Sequence, residues 1–496
     1  MKSPLLFSIS LLVFLSCCTR PQILESSFAP RFITAKMPPI GIKKDQEYQF
    51  GYLIVPENRT DPQSKSIQLP VYIFKSRNPN PKADPIIYTV GGPGYTTMTS
   101  APYMNYYRYL DDRHFILFEL RGTLYSKPHL DCPEWSKAIS ITNSPNFDEI
   151  KKDSILTAAA SECKDRLIAK GIDLNGYHTK EIAADIADLR KVLGLKTYNL
   201  LTISYSTKIA QVLMRDYPEG IRSVVMDGAL PLASKYDEES NFNLIQAVDQ
   251  LLTDCANDPD CNSRFPALKE RFFNFLESKN TAPLEIQAIN PKTKESEFFK
   301  LRGRDLITVF TAASTGDVPN IPLEIERILD GDYSVIQTRL ADLFEEAGSG
   351  AGVGMRLSVW CAEEYPFSDQ KTIQKEEDKY PIIKGLSPAV YNTDICEIWG
   401  VKPARPKEDQ AIKSDIPVLL MNGQYDELTP PHWAKAMQKG LPNSFHIIFP
   451  GWKHTVTTNW SNTCAMEVAR TFFNNPSQQP KLACMDEIKG VQFKLN

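Results

Sequence analysis

Ser204, Asp426 and His454 occur in that order along the chain, and each follows a short apolar run. A serine hydroxyl is a poor nucleophile until a base takes its proton and donors receive the charge that develops on the attacked carbonyl oxygen. A histidine supplies the base, and a buried carboxylate holds the imidazole and stabilises its cation. Unrelated serine hydrolases carry these three residue types in different chain orders, so the order Ser, Asp, His is itself informative. The chain has 6 histidines, and His454 is singled out by its place just after a strand-like run in "PGWKHTV". Glu427 neighbours Asp426 in "NGQYDELTPP", but Asp426 sits closer to the strand end.

A fourth feature precedes the serine. "GGPG" at Gly91–Gly94 also follows an apolar run. Glycine lets a backbone approach a ligand closely and take unusual φ. Pro93 has no N–H to donate, so Gly92 is the expected oxyanion donor from this loop. The second is the N–H of Tyr205, the residue after the nucleophile.

These residues need a scaffold that brings strand ends together. "EYQFGYLIVPENR" and "SIQLPVYIFKS" are strand-like, as are "PIIYTV", "HFILFEL", "TYNLLTI", "IRSVVMDG", "IPVLLMNG" and "FHIIFPG". Short β-runs separated by helical stretches predict a mostly parallel sheet flanked by helices. In such sheets chemistry collects at the carboxyl ends of the strands. Residues 231–405 carry helical patterns such as "NFNLIQAVDQLLTDCAN" and little β signal. The expected organisation is therefore a signal segment at 1–17, a lead-in at 18–45, core at 46–230, a mainly helical lid insertion at 231–405 and core again at 406–496.

The corner at Ser204 reads Thr202-Ile203-Ser204-Tyr205-Ser206. A nucleophile elbow usually has glycine two residues to either side, because strand and helix pass close together there. Ser206 is small. Thr202 is β-branched and is expected to crowd the turn, so Thr202→Gly is expected to preserve or raise activity.

The 496 residues are 42% hydrophobic and 23% charged, with a net charge of -4. That balance argues against a nucleic-acid groove, which needs a basic excess. Lys2 followed by "PLLFSISLLVFLS" and Cys17-Cys18 describes an export signal. The apolar run is shorter than the roughly 20 residues of a membrane span. "FLSCC" resembles a bacterial lipobox, with Cys17 or Cys18 as the lipidated residue, so membrane contact is expected only through that anchor. The other eight of the 10 cysteines, Cys132, Cys163, Cys255, Cys261, Cys361, Cys396, Cys464 and Cys484, form an even set in an exported chain. Such a set predicts disulfides, with sequential pairing the simplest arrangement. No metal and no cofactor are expected.

With these motifs in place, the chain resembles the proline iminopeptidase and tripeptidyl aminopeptidase group of α/β-hydrolases. "FGYLIVPENR" is similar to that group's opening strand and "GGPG" to its oxyanion loop. "ELRGTLYS" is similar to Asp-Gln-Arg-Gly-x-Gly-x-Ser: Arg121, Gly122 and Ser126 match, whereas Glu119, Leu120 and Leu124 depart. "CANDPDCNSRFP" and "SVWCAEEYPF" look like lid segments, and "NGQYDELTPP" and "GWKHT" like the acid and base loops. Cys464 and Cys484 fit the C-terminal portion of the tripeptidyl members. The group has Gly-x-Ser-Tyr-Gly at the elbow, so Thr202 and Ser206 depart from it. The resemblance implies a serine exopeptidase acting on peptides with a free N-terminus, often proline-containing ones. It also implies a lid carboxylate for the substrate ammonium, Glu363 or Glu364, with Glu363 preferred. The alternatives are an esterase or other acyl hydrolase on the same fold, and a catalytically weak peptide-binding lipoprotein.

Overall fold

The computed structural model of the chain describes residues 29–43, 46–142, 151–289, 294–311, 313–346, 352–383 and 393–496. Cys17, Cys18 and the whole signal segment lie outside the described residues.

Eleven strands are described in chain order: β1 (Arg31–Thr34), β2 (Tyr48–Pro56), β3 (Ser66–Phe74), β4 (Lys82–Thr89), β5 (Arg113–Phe118), β6 (Tyr198–Ile203), β7 (Ile221–Asp227), β8 (Leu284–Ile289), β9 (Ser296–Leu301), β10 (Val418–Gly423) and β11 (Ser444–Phe449). Nine of them form one sheet in the order β1-β2-β3-β5-β4-β6-β7-β10-β11. The β1–β2, β2–β3 and β3–β5 pairings are antiparallel. From β5 to β11 every pairing is parallel. All six residues of β6 and of β10 are buried, as expected of strands covered on both faces and therefore apolar throughout.

Helices Thr179–Val192 and Ser206–Asp216 pack on one side of the sheet, and helix Cys464–Asn474 on the other. Buried Arg121 fastens the turn after β5 to the first of these helices. Its guanidinium donates to Asp185 at 2.7 and 2.6 Å and to the carbonyl oxygens of Glu57 and Gly176. The "RG" motif thus begins with a structural arginine. Breaking such a buried pair by removing one partner costs about 3–5 kcal/mol.

Between β7 and β10 lie helices Tyr236–Asn257, Leu268–Thr281 and Val353–Glu363, among others. Helices Tyr236–Asn257 and Leu268–Thr281 contribute to a separate apolar cluster that includes Leu252, Phe272, Ile307 and Ile325. This part also holds the β8–β9 antiparallel hairpin. Its "LEIQAI" alternates buried and exposed residues, a two-residue period that the surrounding helical patterns obscure. The lead-in likewise contains β1, four residues on the sheet edge. Four disulfides join Cys132 to Cys163, Cys255 to Cys261, Cys361 to Cys396 and Cys464 to Cys484. The pairing is sequential. No described helix is long and apolar enough to cross a membrane.

Candidate active site

β6 ends at Ile203, and helix Ser206–Asp216 begins three residues later. Ser204 takes the turn with φ 57°, a left-handed conformation that costs a non-glycine residue about 1–3 kcal/mol and persists where surrounding structure holds it. The holding contacts are specific. Ser204 N–H donates to the Asp227 carbonyl at 2.8 Å, and the Thr207 hydroxyl donates to the Ser204 carbonyl at 2.7 Å.

The residues flanking the corner behave differently from the expectation. Thr202 does not crowd the turn; its hydroxyl is buried and donates to the Val225 carbonyl on β7 at 3.1 Å. Ser206 Oγ accepts from Ile203 N–H at 2.8 Å and lies 2.9 Å from the Thr89 carbonyl. Both polar side chains satisfy backbone groups where strand becomes helix. The close approach is made instead by Gly91. A Cβ there would meet the Ser204 Cβ at 2.7 Å, and the Ile203 carbonyl and Tyr205 nitrogen at 2.8 Å each.

Ser204 opens into a cavity of about 540 Å³ whose walls include Gly92, Tyr205, Trp360, Glu364 and His454. Its hydroxyl has no hydrogen-bond partner among the described residues. The backbone N–H groups of Gly92 and Tyr205 are likewise without acceptors there. Gly92 has φ +117°, which glycine adopts at little cost, and Tyr205 precedes the first turn of a helix, where N–H groups are left over. Two idle donors beside a serine are what a developing oxyanion requires.

His454 follows β11. Its Nδ1 lies 3.0 and 2.9 Å from the two oxygens of Asp426, which follows β10. Asp426 is fully buried. It also accepts from Leu428 N–H at 3.0 Å, Thr429 N–H at 2.8 Å and the Thr429 hydroxyl at 2.8 Å. These donors fix the carboxylate, and the carboxylate fixes the imidazole with Nδ1–H bonded, leaving Nε2 as the base. Burial disfavours the charged ring, but Asp426, through its charge and hydrogen bond, and the charges of Asp227 and Glu427 together hold the His454 pKa above its ordinary value. Glu427 points elsewhere, to Lys453 at 3.1 Å.

Asp227, which the sequence presents only as a strand end, ties the serine and histidine loops together. Its carbonyl takes the Ser204 N–H, while its carboxylate accepts from Val456 N–H at 2.9 Å and Thr457 N–H at 2.7 Å. Burial raises its pKa to about 6. Gly228 packs against the imidazole: a Cβ there would come within 2.8 Å of the His454 Cε1.

The two lid glutamates part company. Glu364, not the preferred Glu363, lines the cavity with Ser204. Glu363 accepts from Thr179 N–H at 2.6 Å and from the Thr179 hydroxyl, which in turn meets the Tyr205 hydroxyl at 2.7 Å. It lines a second cavity of about 510 Å³ with Tyr177, His178 and Thr179. Its role at the start of helix Thr179–Val192 places it off the serine's cavity. Glu364 is bonded to buried Lys208 through one oxygen. Buried Asp237 stands close by, accepting from the Trp360 indole at 3.0 Å through Oδ2 while Oδ1 has no partner among the described residues. Burial, with the Glu364 charge adding, pushes Asp237 up to about 7.

Two family profiles match the chain: "alpha/beta hydrolase fold" over residues 84–259 and "TAP-like protein" over residues 385–484. The chain is 23% identical over 468 residues to a putative hydrolase, YuaR, of Escherichia coli strain K12, covering 89% of this chain and 88% of that one. It is 21% identical over 439 residues to the serine protease Hip1 of Mycobacterium tuberculosis, covering 82% and 81%. To the tripeptidyl aminopeptidase of Streptomyces coelicolor it is 24% identical over 411 residues, covering 77% and 72%. The chain is an enzyme of the α/β-hydrolase fold, and within that fold it resembles relatives named as a serine protease and a tripeptidyl aminopeptidase.

Proposed function

We propose that the chain is an exported serine aminopeptidase that removes an N-terminal residue or short peptide through an acyl-enzyme. Ser204 Oγ attacks the scissile carbonyl while His454 Nε2 takes its proton. The N–H groups of Gly92 and Tyr205 receive the oxyanion. The tetrahedral adduct collapses as the imidazolium gives its proton to the leaving amine, and water then releases the acyl group by the same route. Asp426 keeps the imidazole in register and stabilises its cation.

The observation that carries the peptidase reading is the meeting of Ser204, His454 and Glu364 on one cavity. Glu364 presents a carboxylate on the cavity wall, so an arriving ammonium meets it through a charge-assisted bond beside its partner Lys208. The relatives named as a serine protease and a tripeptidyl aminopeptidase support the same class. Four disulfides support export, with lipidation at Cys17 or Cys18 as the proposed anchor in a bacterial envelope.

The test compares one peptide anilide with a free and with an acetylated N-terminus. The expected result is at least tenfold higher kcat/KM for the free amine, an advantage that shrinks in Glu364→Gln. Equal cleavage of the two would remove the aminopeptidase reading and leave an endopeptidase or esterase.

A further inference from the structure

Helix Val353–Glu363 runs along the cavity that holds Ser204. It contributes Arg356, Val359 and Trp360, and its C-terminal cap is Glu364. Residues 356, 360 and 364 are four apart and so form one stripe on the helix. The stripe spans two turns, about 12 Å along the axis at 1.5 Å per residue. It has opposite charges at its ends and an indole between them.

The two ends are not equally satisfied. Glu364 has Lys208. The Arg356 guanidinium has no carboxylate and no hydrogen-bond acceptor among the described residues, and its Nε is buried without a partner. Its central carbon lies 5.8 Å from the centroid of the Trp360 ring, a placement in which ring and cation attract. A partly buried guanidinium with idle donors is an unfavourable arrangement in the empty enzyme. The flat fork of donors matches one ligand group above others, a carboxylate taken in two parallel hydrogen bonds. An extended peptide rises 3.3–3.6 Å per residue, so the roughly 12 Å between the stripe's ends corresponds to three or four residues.

We infer that Arg356 binds a carboxylate of the substrate, three or four residues from the end held at Glu364, and thereby selects acidic peptides. The assignment of the Glu364 end rests on the proposed aminopeptidase reading. The carboxylate has two chemical sources, an Asp or Glu side chain or the α-carboxylate of a short peptide, and Arg356 serves either.

The experiment measures kcat/KM for peptide anilides with Glu or Gln at each of positions one to four, and for a tetrapeptide as free acid or amide. Wild-type enzyme is expected to favour the carboxylate-bearing member of at least one pair about tenfold or more. That ratio falls to within about twofold in Arg356→Gln and stays intermediate in Arg356→Lys. A preference confined to the anilide pairs assigns a side chain; one confined to the free acid assigns the peptide's C-terminus. No preference in any pair, or a preference that survives Arg356→Gln, overturns the inference. Each pair is also run N-acetylated. If free and acetylated substrates are cleaved alike, the aminopeptidase reading fails while the carboxylate ratio still reads Arg356. If no peptide is cleaved, the same peptides compete against fluorophosphonate labelling of Ser204, and the ratio of their inhibition constants replaces the rate ratio. Should Arg356→Gln not fold, the wild-type ratio and Arg356→Lys decide.

Discussion

Gly91 lies against the Ser204 corner so closely that a Cβ on the glycine would stand 2.7 Å from the Ser204 Cβ. The room that an elbow needs is made on the neighbouring loop, after β4, and not at the positions two residues either side of the serine. Gly91→Ala must therefore displace the nucleophile or the oxyanion loop. A shift of about 1 Å at reacting groups costs on the order of 100-fold in rate. The expected outcome is a loss of that size in kcat/KM with the fold retained, read from steady-state kinetics beside thermal unfolding.

Thr202→Gly is expected to do the opposite of relieving strain. It removes the hydrogen bond to Val225 and adds backbone freedom to a buried strand. Ser206→Gly removes the acceptor for Ile203 N–H. Each should lower stability by about 1–3 kcal/mol, measured by urea unfolding, and Thr202→Gly should not raise kcat. A gain in kcat would return the threonine to the role of an obstruction.

The acid of the triad is separable from its neighbour. Asp426→Asn takes away the acceptor that fixes the His454 tautomer and is expected to cost about 10⁴-fold in kcat, the size seen when such a carboxylate becomes an amide. Glu427→Gln breaks a buried pair with Lys453, a cost to stability, and removes only the weakest of the charges named above that raise the His454 pKa, so it should keep kcat within about tenfold. Equal losses in both would mean that the histidine is oriented by the loop and not by Asp426.

The pH profile follows from the raised pKa of His454. Burial is the largest single influence and works against the imidazolium, but the charge and hydrogen bond of Asp426, with the charges of Asp227 and Glu427, together outweigh it. The base must be neutral to accept the serine proton, so activity falls as pH drops through this raised pKa, and the acid limb of kcat/KM lies above the ordinary histidine value of 6.5. The stability that the ion pair contributes has the opposite direction: it is fully present below pH 6.5 and is lost as pH rises through the folded value. Asp426→Asn should move the acid limb down. A limb at or below 6.5 in the wild type would show that burial, not Asp426, dominates.

Much of the sheet is legible in the sequence because its parallel strands are buried on both faces and read as apolar runs. β6 and β10 are plain for that reason, and the carboxyl ends of β6, β10 and β11 lead directly to Ser204, Asp426 and His454. β1 is four residues on an edge, and β8 alternates within a helical neighbourhood, so neither stands out. What the sequence does not carry is contact across distant segments. Thr202 looks bulky until its hydroxyl is placed opposite the Val225 carbonyl. Asp227 looks like the end of a strand until it bonds the turn beyond His454. Glu363 and Glu364 are adjacent in the sequence. The helix end sends one to Thr179 and the other to Lys208 and the cavity, a separation set by helical geometry and by partners at positions 179 and 208.

Nucleophilicity of Ser204, activated by His454, is the step on which the proposed mechanism turns. It is tested most directly by treating the full chain with a fluorophosphonate and locating the adduct by peptide mass spectrometry. The expected result is one phosphonyl group per chain, on Ser204, with no labelling of folded Ser204→Ala and labelling slowed by at least about 10³-fold in His454→Ala, where the base is gone. Absence of an adduct on folded wild-type protein, or an adduct on a different serine, would contradict it.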